Sequence, residues 1–257
     1  MSTGVQTAVG QFVWHEHLSN DVERAKGFYT QLLGWELEIY KAGEMDYPMI
    51  KRNGQTHGGF SKLEQSGPAH WLGHVAVDDV DGTVSRAEAR GGKTLAGPFD
   101  MPEIGRFALI ADPQGGVVSA YKPAGDAPSS AGTFVWDELL ATDVEGAKSF
   151  YTEVFGWTTA DMDMGETGVY TMFRRAGETD SAGLMQKPPD APGPTAWLTY
   201  IATDDVDATV EKAGTLGAST LMAPMDIPGV GRIAVLADPT GAAFGLFKPS
   251  GSPAAGS

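Results

Sequence analysis

The chain has no cysteine among its 257 residues, which excludes disulfides, thiolate metal sites and a cysteine nucleophile. It has no run of 18 apolar residues, so no membrane-spanning helix is expected. The opening MSTGVQTAVGQ lacks a basic region followed by an apolar stretch, so no secretory signal is read there. Basic residues are scarce: 18 Lys and Arg stand against 33 Asp and Glu, a formal charge of −15. Residues 1–126 carry −5 of this and 127–257 carry −10. Such a field repels phosphate backbones and anionic lipid, so neither nucleic acid nor membrane is the expected partner. No Ser-His-Asp arrangement and no phosphate-binding glycine loop is visible. These absences leave a cytoplasmic protein as the expectation.

What is present is a long repeat. Phe12 to Trp35 returns as Phe134 to Trp157, identical at 15 of 24 positions. Trp71 to Val84 returns as Trp197 to Val210, and Gly105 to Pro123 as Gly231 to Pro249. A period above 120 residues is far too long for a solenoid and means two domains of one fold. The expected division is an N-terminal tail at 1–11, a domain at 12–123, a small-residue linker at 124–132, a second domain at 133–249 and a disordered tail at 250–257.

Each copy contains a smaller repeat. Phe12–Ser19 alternates as a strand and then meets Asn20-Asp21, a helix-start signal, with Asn20 and Glu23 spaced as a capping box. Val22, Ala25, Phe28, Tyr29, Leu32 and Leu33 follow helical spacing up to Gly34, a C-cap candidate. Short strands are expected over 35–40, 48–52 and 59–63. The pattern restarts with a strand over 71–77, a helix capped by Asp79 and ending near Arg90, and strands near 94–95, 106–111 and 117–122. The chain therefore reads as four strand–helix–three-strand modules.

The motifs D-V-E-x-A-K-x-F-Y-x-x-x-x-G-W, V-D-D-V-D (T-D-D-V-D in copy two) and G-R-x-A-x-x-x-D-P-x-G recur in both copies and are spread over nearly the whole length of each. This order resembles the vicinal oxygen chelate superfamily of glyoxalases, bleomycin-resistance proteins and extradiol dioxygenases. The tandem arrangement with F-V-W-x-E is similar to an actinobacterial branch often described only as hydroxylases or antigens. The resemblance implies an α+β fold of two tandem glyoxalase-like domains. Each would be built of two βαβββ modules forming an open mixed-sheet cup around a small ligand. With four modules in one chain, a monomer with pseudo-dimeric internal symmetry is expected.

The resemblance also implies a divalent metal in the cup, with ligands from the first strand of each module and from the last strand. The first-strand position lies seven residues before the helix-capping Asp. In this sequence it holds Trp14 and Leu72 in copy one, and Trp136 and Leu198 in copy two. The last-strand position, seven residues after the Asp of D-P-x-G, holds Ser119 and Gly245. Indole and alkyl groups cannot replace imidazole or carboxylate donors. No cofactor is expected, and a divalent metal is disfavoured.

Other polar residues share the inward face, because strand residues two apart lie on one side. Glu16 and His74 follow Trp14 and Leu72 by two positions, and their counterparts are Glu138 and Tyr200. A Glu16–His74 pair is read either as a buried structural pair or as an acid–base or ligand-orienting pair. All five histidines, His15, His17, His57, His70 and His74, fall in the first half. The parity of His15 and His17 is opposite to Glu16, which turns them toward the covering helix or solvent. Trp14, Trp71, Trp136 and Trp197 open their strands and are candidates to stack on a planar ligand, with core packing as the alternative. Arg106 and Arg232 are read as Asp–Arg pairs across a hairpin with Asp100 and Asp226, or as rim arginines that grip a ligand. Asp112-Pro113 and Asp238-Pro239 read as turns.

The leading functional expectation is a small-molecule-binding protein without the usual metal site, holding a planar or hydrophobic metabolite. The first alternative is a tailoring enzyme on an aromatic natural product (hydroxylation, ring opening or isomerisation) using Glu16 and His74. The second is a divalent-metal lyase of glyoxalase type, and an interaction module with an empty cup stands behind these.

Overall fold

The computed structural model describes residues 8–42, 45–64, 67–128, 132–165, 168–176, 179–189, 191 and 193–251. Most of the expected N-terminal tail, the middle of the linker and nearly all of the C-terminal tail lie outside these residues. The first copy runs β1 (Phe12–Ser19), α1 (Val22–Leu33), β2 (Glu36–Ala42), β3 (Met45–Arg52), β4 (Gln55–Lys62), β5 (His70–Ala76), α2 (Val80–Ala89), β6 (Lys93–Met101), β7 (Gly105–Ala111) and β8 (Val117–Pro123). The second repeats this as β9 (Phe134–Ala141), α3 (Val144–Phe155), β10 (Thr158–Asp163), β11 (Val169–Arg175), β12 (Thr179–Gln186), β13 (Ala196–Ala202), α4 (Val206–Thr215), β14 (Ser219–Ile227), β15 (Gly231–Ala237) and β16 (Ala243–Pro249). The fold is α+β, with two mixed eight-stranded sheets ordered β2-β3-β4-β1-β5-β8-β7-β6 and β10-β11-β12-β9-β13-β16-β15-β14.

The helices begin at acidic caps. Asp21, Asp79, Asp143 and Asp205 each accept a hydrogen bond from a first-turn backbone N–H. The capping box expected at Asn20 is therefore one residue out, because the cap is Asp21. Gly34 and Gly156 end α1 and α3 in the left-handed region, with φ of 67° and 70°.

By contact, the described residues fall into two compact units that do not follow the copies. One unit holds 8–14, 72–128 and 136–197, and the other holds 15–71, 132–135 and 198–251. In the first, α2 packs on β6, β7 and β8 and also against α3. One apolar cluster binds this unit, joining Val75, Ile110 and Val118 to Phe150, Tyr151 and Leu184. In the second, α1 packs against α4, and the cluster joins Phe28, Tyr29 and Phe60 to Ile201, Leu236 and Phe244. Each sheet half thus buries one face under a helix, and the other, the open face, has no helix packed on it among the described residues, although several of its side chains are buried.

A buried polar triad closes each unit. In the first unit Trp197 Nε1 donates to the Tyr151 hydroxyl at 3.0 Å, and that hydroxyl donates to Asp112 Oδ2 at 2.9 Å. Asp112 Oδ1 also accepts the backbone N–H groups of Gln114 and Gly116. In the second unit Trp71 Nε1 donates to Tyr29 at 2.9 Å, and Tyr29 hydrogen-bonds Asp238. Burial, reinforced by the aspartate charge, raises both tyrosine pKa values well above the ordinary value and keeps both as phenols. The aspartates of D-P-x-G are therefore more than turn residues: each anchors the Tyr of F-Y and the Trp that opens a neighbouring module's strand.

Candidate functional site

Strand parity sorts the candidate residues. Along β1, Val13, His15, His17 and Ser19 are buried, while Trp14, Glu16 and Leu18 are half-buried on the open face. His15 stacks on Phe134 at 4.2 Å, and His17 sits among Tyr29, Phe60 and Trp71. Both histidines turn toward the helix side, as their parity requires. His57 Nε2 lies 3.3 Å from the Arg52 carbonyl and His70 Nδ1 lies 2.9 Å from the Pro68 carbonyl. Among the described residues, no group of three or more His, Asp or Glu side chains converges as metal ligands would.

Four candidate ligand contacts, Trp71, Trp197, Arg106 and Arg232, lie on the helix side of their sheets. Trp71 and Trp197 share parity with Val75 and Ile201, so they point under the helices into the Tyr–Asp triads rather than onto the open face. Arg106 forks onto Asp81 at 2.8 and 2.9 Å and also bonds Asp100. Arg232 forks onto Asp207 at 2.5 and 2.7 Å and meets Asp226 at 3.1 Å. Asp81 and Asp207 lie in the first turns of α2 and α4, so these guanidinium groups tie strand to helix on the side away from the open face. Each arginine lowers the pKa of its helix aspartate by hydrogen bonding.

The open face of the β9–β12 half-sheet carries a polar group around Glu138, which is 7% exposed. Trp136 Nε1 donates to the Tyr170 hydroxyl at 2.8 Å, and Tyr170 hydrogen-bonds Glu138. Burial, then the Glu138 charge, raises the Tyr170 pKa, so the phenol keeps its proton. Gly183 stands in register with Glu138, and a Cβ there would run into the Tyr170 hydroxyl. The first copy repeats the geometry: Gly59 is in register with Glu16, and a Cβ there would run into Tyr47. Glu16 Oε1 accepts from Ser61 at 2.5 Å. The sequence reading missed Tyr47 and Tyr170. Each tyrosine lies two residues before the register partner of the glycine, Met49 for Gly59 and Met172 for Gly183, and reaches it diagonally.

On the β5–β8 half-sheet, His74 and Ser119 are register partners in a parallel ladder. The His74 ring lies 6.0 Å from that of Tyr121 and 6.4 Å from that of Phe107, and Phe107 lies 5.6 Å from Phe99. The Tyr121 hydroxyl donates to the Ile104 carbonyl at 2.8 Å, and burial pushes its pKa up to about 12. In the β13–β16 half-sheet, Tyr200 is the register partner of Gly245, and its ring fills the space that a side chain at 245 would need.

The donor set does not fit a divalent ion at the positions that the family resemblance implies. Seven residues before the observed caps stand Trp14, Leu72, Trp136 and Leu198, and Leu72 is 1% exposed. Ser119 offers a neutral hydroxyl, and Gly245 offers nothing.

Comparison with known proteins agrees with the geometry of the halves. A sequence model described as the Glyoxalase/Bleomycin resistance protein/Dioxygenase superfamily matches residues 14–119 and again 133–246. CFP32 of Mycobacterium tuberculosis, provisionally named a glyoxylase, is 34% identical over 92% of this chain and 94% of its own. The anthracycline biosynthesis protein DnrV of Streptomyces peucetius is 29% identical over 96% of this chain and 97% of its own. Among solved structures, a Mn(II)-bound glyoxalase from Novosphingobium aromaticivorans superposes with a TM-score of 0.63 at 17% identity, over 93% of this chain and 82% of that one. A 2,2',3-trihydroxybiphenyl 1,2-dioxygenase from Sphingomonas wittichii superposes with a TM-score of 0.62 at 15% identity, over 93% and 90%. Identity this low speaks for the fold alone.

Proposed function

The chain belongs to the glyoxalase/bleomycin resistance protein/dioxygenase superfamily, and from that premise we propose that it binds a small planar metabolite on its open sheet faces without a divalent ion at the family's usual place. The observation that carries this reading is the side-chain set at that place. Two indoles, two leucines, a serine and a glycine stand there, and the Tyr200 ring lies over the glycine. Aromatic and aliphatic groups with a few oriented polar atoms suit a planar, largely apolar ligand. The protein is proposed to act as a cytoplasmic monomer.

A second reading is favoured by one arrangement. The Glu138–Tyr170–Trp136 chain holds a buried carboxylate beside a phenol, a pairing that can pass or hold a proton on a bound aromatic. The relatives named for anthracycline biosynthesis point toward a tailoring step on an aromatic natural product.

Tag-free protein should bind 2,6-dihydroxyanthraquinone with the same affinity in excess chelator and in added Mn(II), Zn(II) or Fe(II). Size exclusion with light scattering should give one chain per particle. Binding that appears only with a divalent ion would overturn the metal-independent reading.

A further inference from the structure

The β5–β8 half-sheet of copy one carries a buried hydroxyl, Ser119, that its β13–β16 counterpart lacks. Ser119 is 0% exposed, and its Oγ has no hydrogen-bond partner among the described residues. It lies on the face of β8 opposite Val118 and Ala120, which belong to the apolar cluster beneath α2. It shares its face with Tyr121 two residues on and with its ladder partner His74. A buried hydroxyl without a partner forfeits its hydrogen bonds to water and is rare in native proteins. Such a group is retained where something else supplies the partner.

The surroundings indicate what that partner carries. Phe99, Phe107, His74 and Tyr121 form a continuous series of rings from the edge strand β6 to the middle of the sheet, with spacings of 5.6, 6.4 and 6.0 Å. A planar aromatic ligand lies well on such a wall. A serine hydroxyl both donates and accepts, so it matches a phenol or a quinone carbonyl. It carries no charge to balance a carboxylate or phosphate. In copy two the same positions hold Met225, Ile233, Tyr200 and Phe247, and Gly245 replaces Ser119. The hydroxyl is gone there, and Tyr200 covers its place.

We propose that the β5–β8 half-sheet of copy one is the binding wall for a planar aromatic bearing ring oxygens, that Ser119 Oγ hydrogen-bonds one of those oxygens, and that the β13–β16 half-sheet does not bind this class. This rests on the small-molecule reading above and names its ligand class and its location. Ser119 is fully buried, so a ligand oxygen reaches Oγ only when a neighbouring ring turns aside. Phe99, 48% exposed on the edge strand, is the outermost ring of the series.

The test uses the full chain, 2,6-dihydroxyanthraquinone and chelator. Wild type should bind one equivalent. Ser119→Ala should weaken affinity about three- to tenfold, the size of one neutral hydrogen bond, while the Tm without ligand stays the same or rises because an unsatisfied buried hydroxyl has been removed. Phe107→Ile, which installs the copy-two residue, should also weaken binding. Ile233→Ala, at the copy-two counterpart of Phe107, should leave affinity unchanged. A lower Tm in Ser119→Ala would mean that the hydroxyl serves the unliganded fold, for example through an internal water, and would overturn the proposal. Unchanged affinity in both copy-one variants would overturn it too while leaving the small-molecule reading intact. Failure of wild type to bind would overturn both.

Discussion

His17 Nε2 lies 2.8 Å from Asp238 Oδ2, with both side chains sealed from solvent. The other unit has the same aspartate, tyrosine and tryptophan, but Leu139 stands where His17 would be. The imidazole is therefore an addition to a network that closes without it.

That comparison orders two substitutions. His17→Leu copies Leu139 and should cost about 1–2 kcal/mol, because Asp238 keeps Tyr29, Thr240 and the Ala242 N–H. Asp238→Ala strips all of these donors of their acceptor and should cost about 3 kcal/mol or more. Burial raises the Asp238 pKa, but the His17 hydrogen bond and charge, with Thr240, outweigh it and leave the pKa lowered. A carboxylate with a depressed folded pKa contributes stability that is complete above about pH 4 and is lost as pH falls through the folded value. Urea titrations of wild type and Asp238→Asn between pH 7 and pH 3 should show a shallower acid loss in the variant. An equal acid limb would remove Asp238 as a contributor.

Tyr151→Phe should be more damaging than Tyr29→Phe. Either change leaves an indole N–H without its acceptor, buried at Trp71 and part-buried at Trp197, at about 1–3 kcal/mol. In the second unit Asp238 Oδ2 still has His17, whereas Asp112 Oδ2 loses the Tyr151 hydroxyl and has a leucine in the histidine's place. Calorimetry of the two variants checks the order, and a larger loss for Tyr29→Phe would contradict it.

Much of this fold was legible in the sequence because its signals are local. Helix spacing, acidic caps and Gly34 placed the elements within a few residues, and strand alternation placed His15 and His17 on the helix side. The triads were not legible, because Tyr151 meets Asp112 only after a module of one copy packs against a module of the other. Trp71 shows a different failure. It adjoins Leu72, so the two cannot both face the open side, and parity could have sent Trp71 inward. Arg106 shares parity with Ala108 and Ile110 and could have been placed under the helix in the same way. Tyr170 needed the strand register, which sequence spacing alone does not supply.

Gly183 exists for Tyr170. Gly183→Ala would push a methyl group into the phenol that bonds Glu138 and Trp136, so the ring must leave. The variant should lose about 2 kcal/mol from overpacking and from the orphaned indole. Tyr170→Phe leaves the backbone undisturbed but also frees Glu138 from its phenol. If the pair handles a proton on a bound aromatic, both variants should lower turnover more than binding. Equal loss of both would assign the pair to positioning alone.

Gly245→Glu asks whether one mutation can return the carboxylate that the family places on its last strand. Here it should fail, for a steric reason. The Tyr200 ring occupies the space a side chain at 245 would enter, and Phe244 and Leu246 on either side are buried in the apolar cluster that joins α1 to β16. A glutamate there must either displace a buried ring or lie uncompensated against it, at about 3 kcal/mol or more. The remaining positions stay Trp136 and Leu198, so no divalent ion gains a second donor. Gly245→Glu should therefore melt well below wild type, and added Mn(II) or Zn(II) should leave its Tm unmoved. Combining it with Tyr200→Ala should recover part of the lost stability, since the cavity left by the ring receives the new side chain. A metal-dependent rise in Tm in the single variant would show that the position is open to a ligand after all. The steric account of why this copy lacks the site would then be wrong.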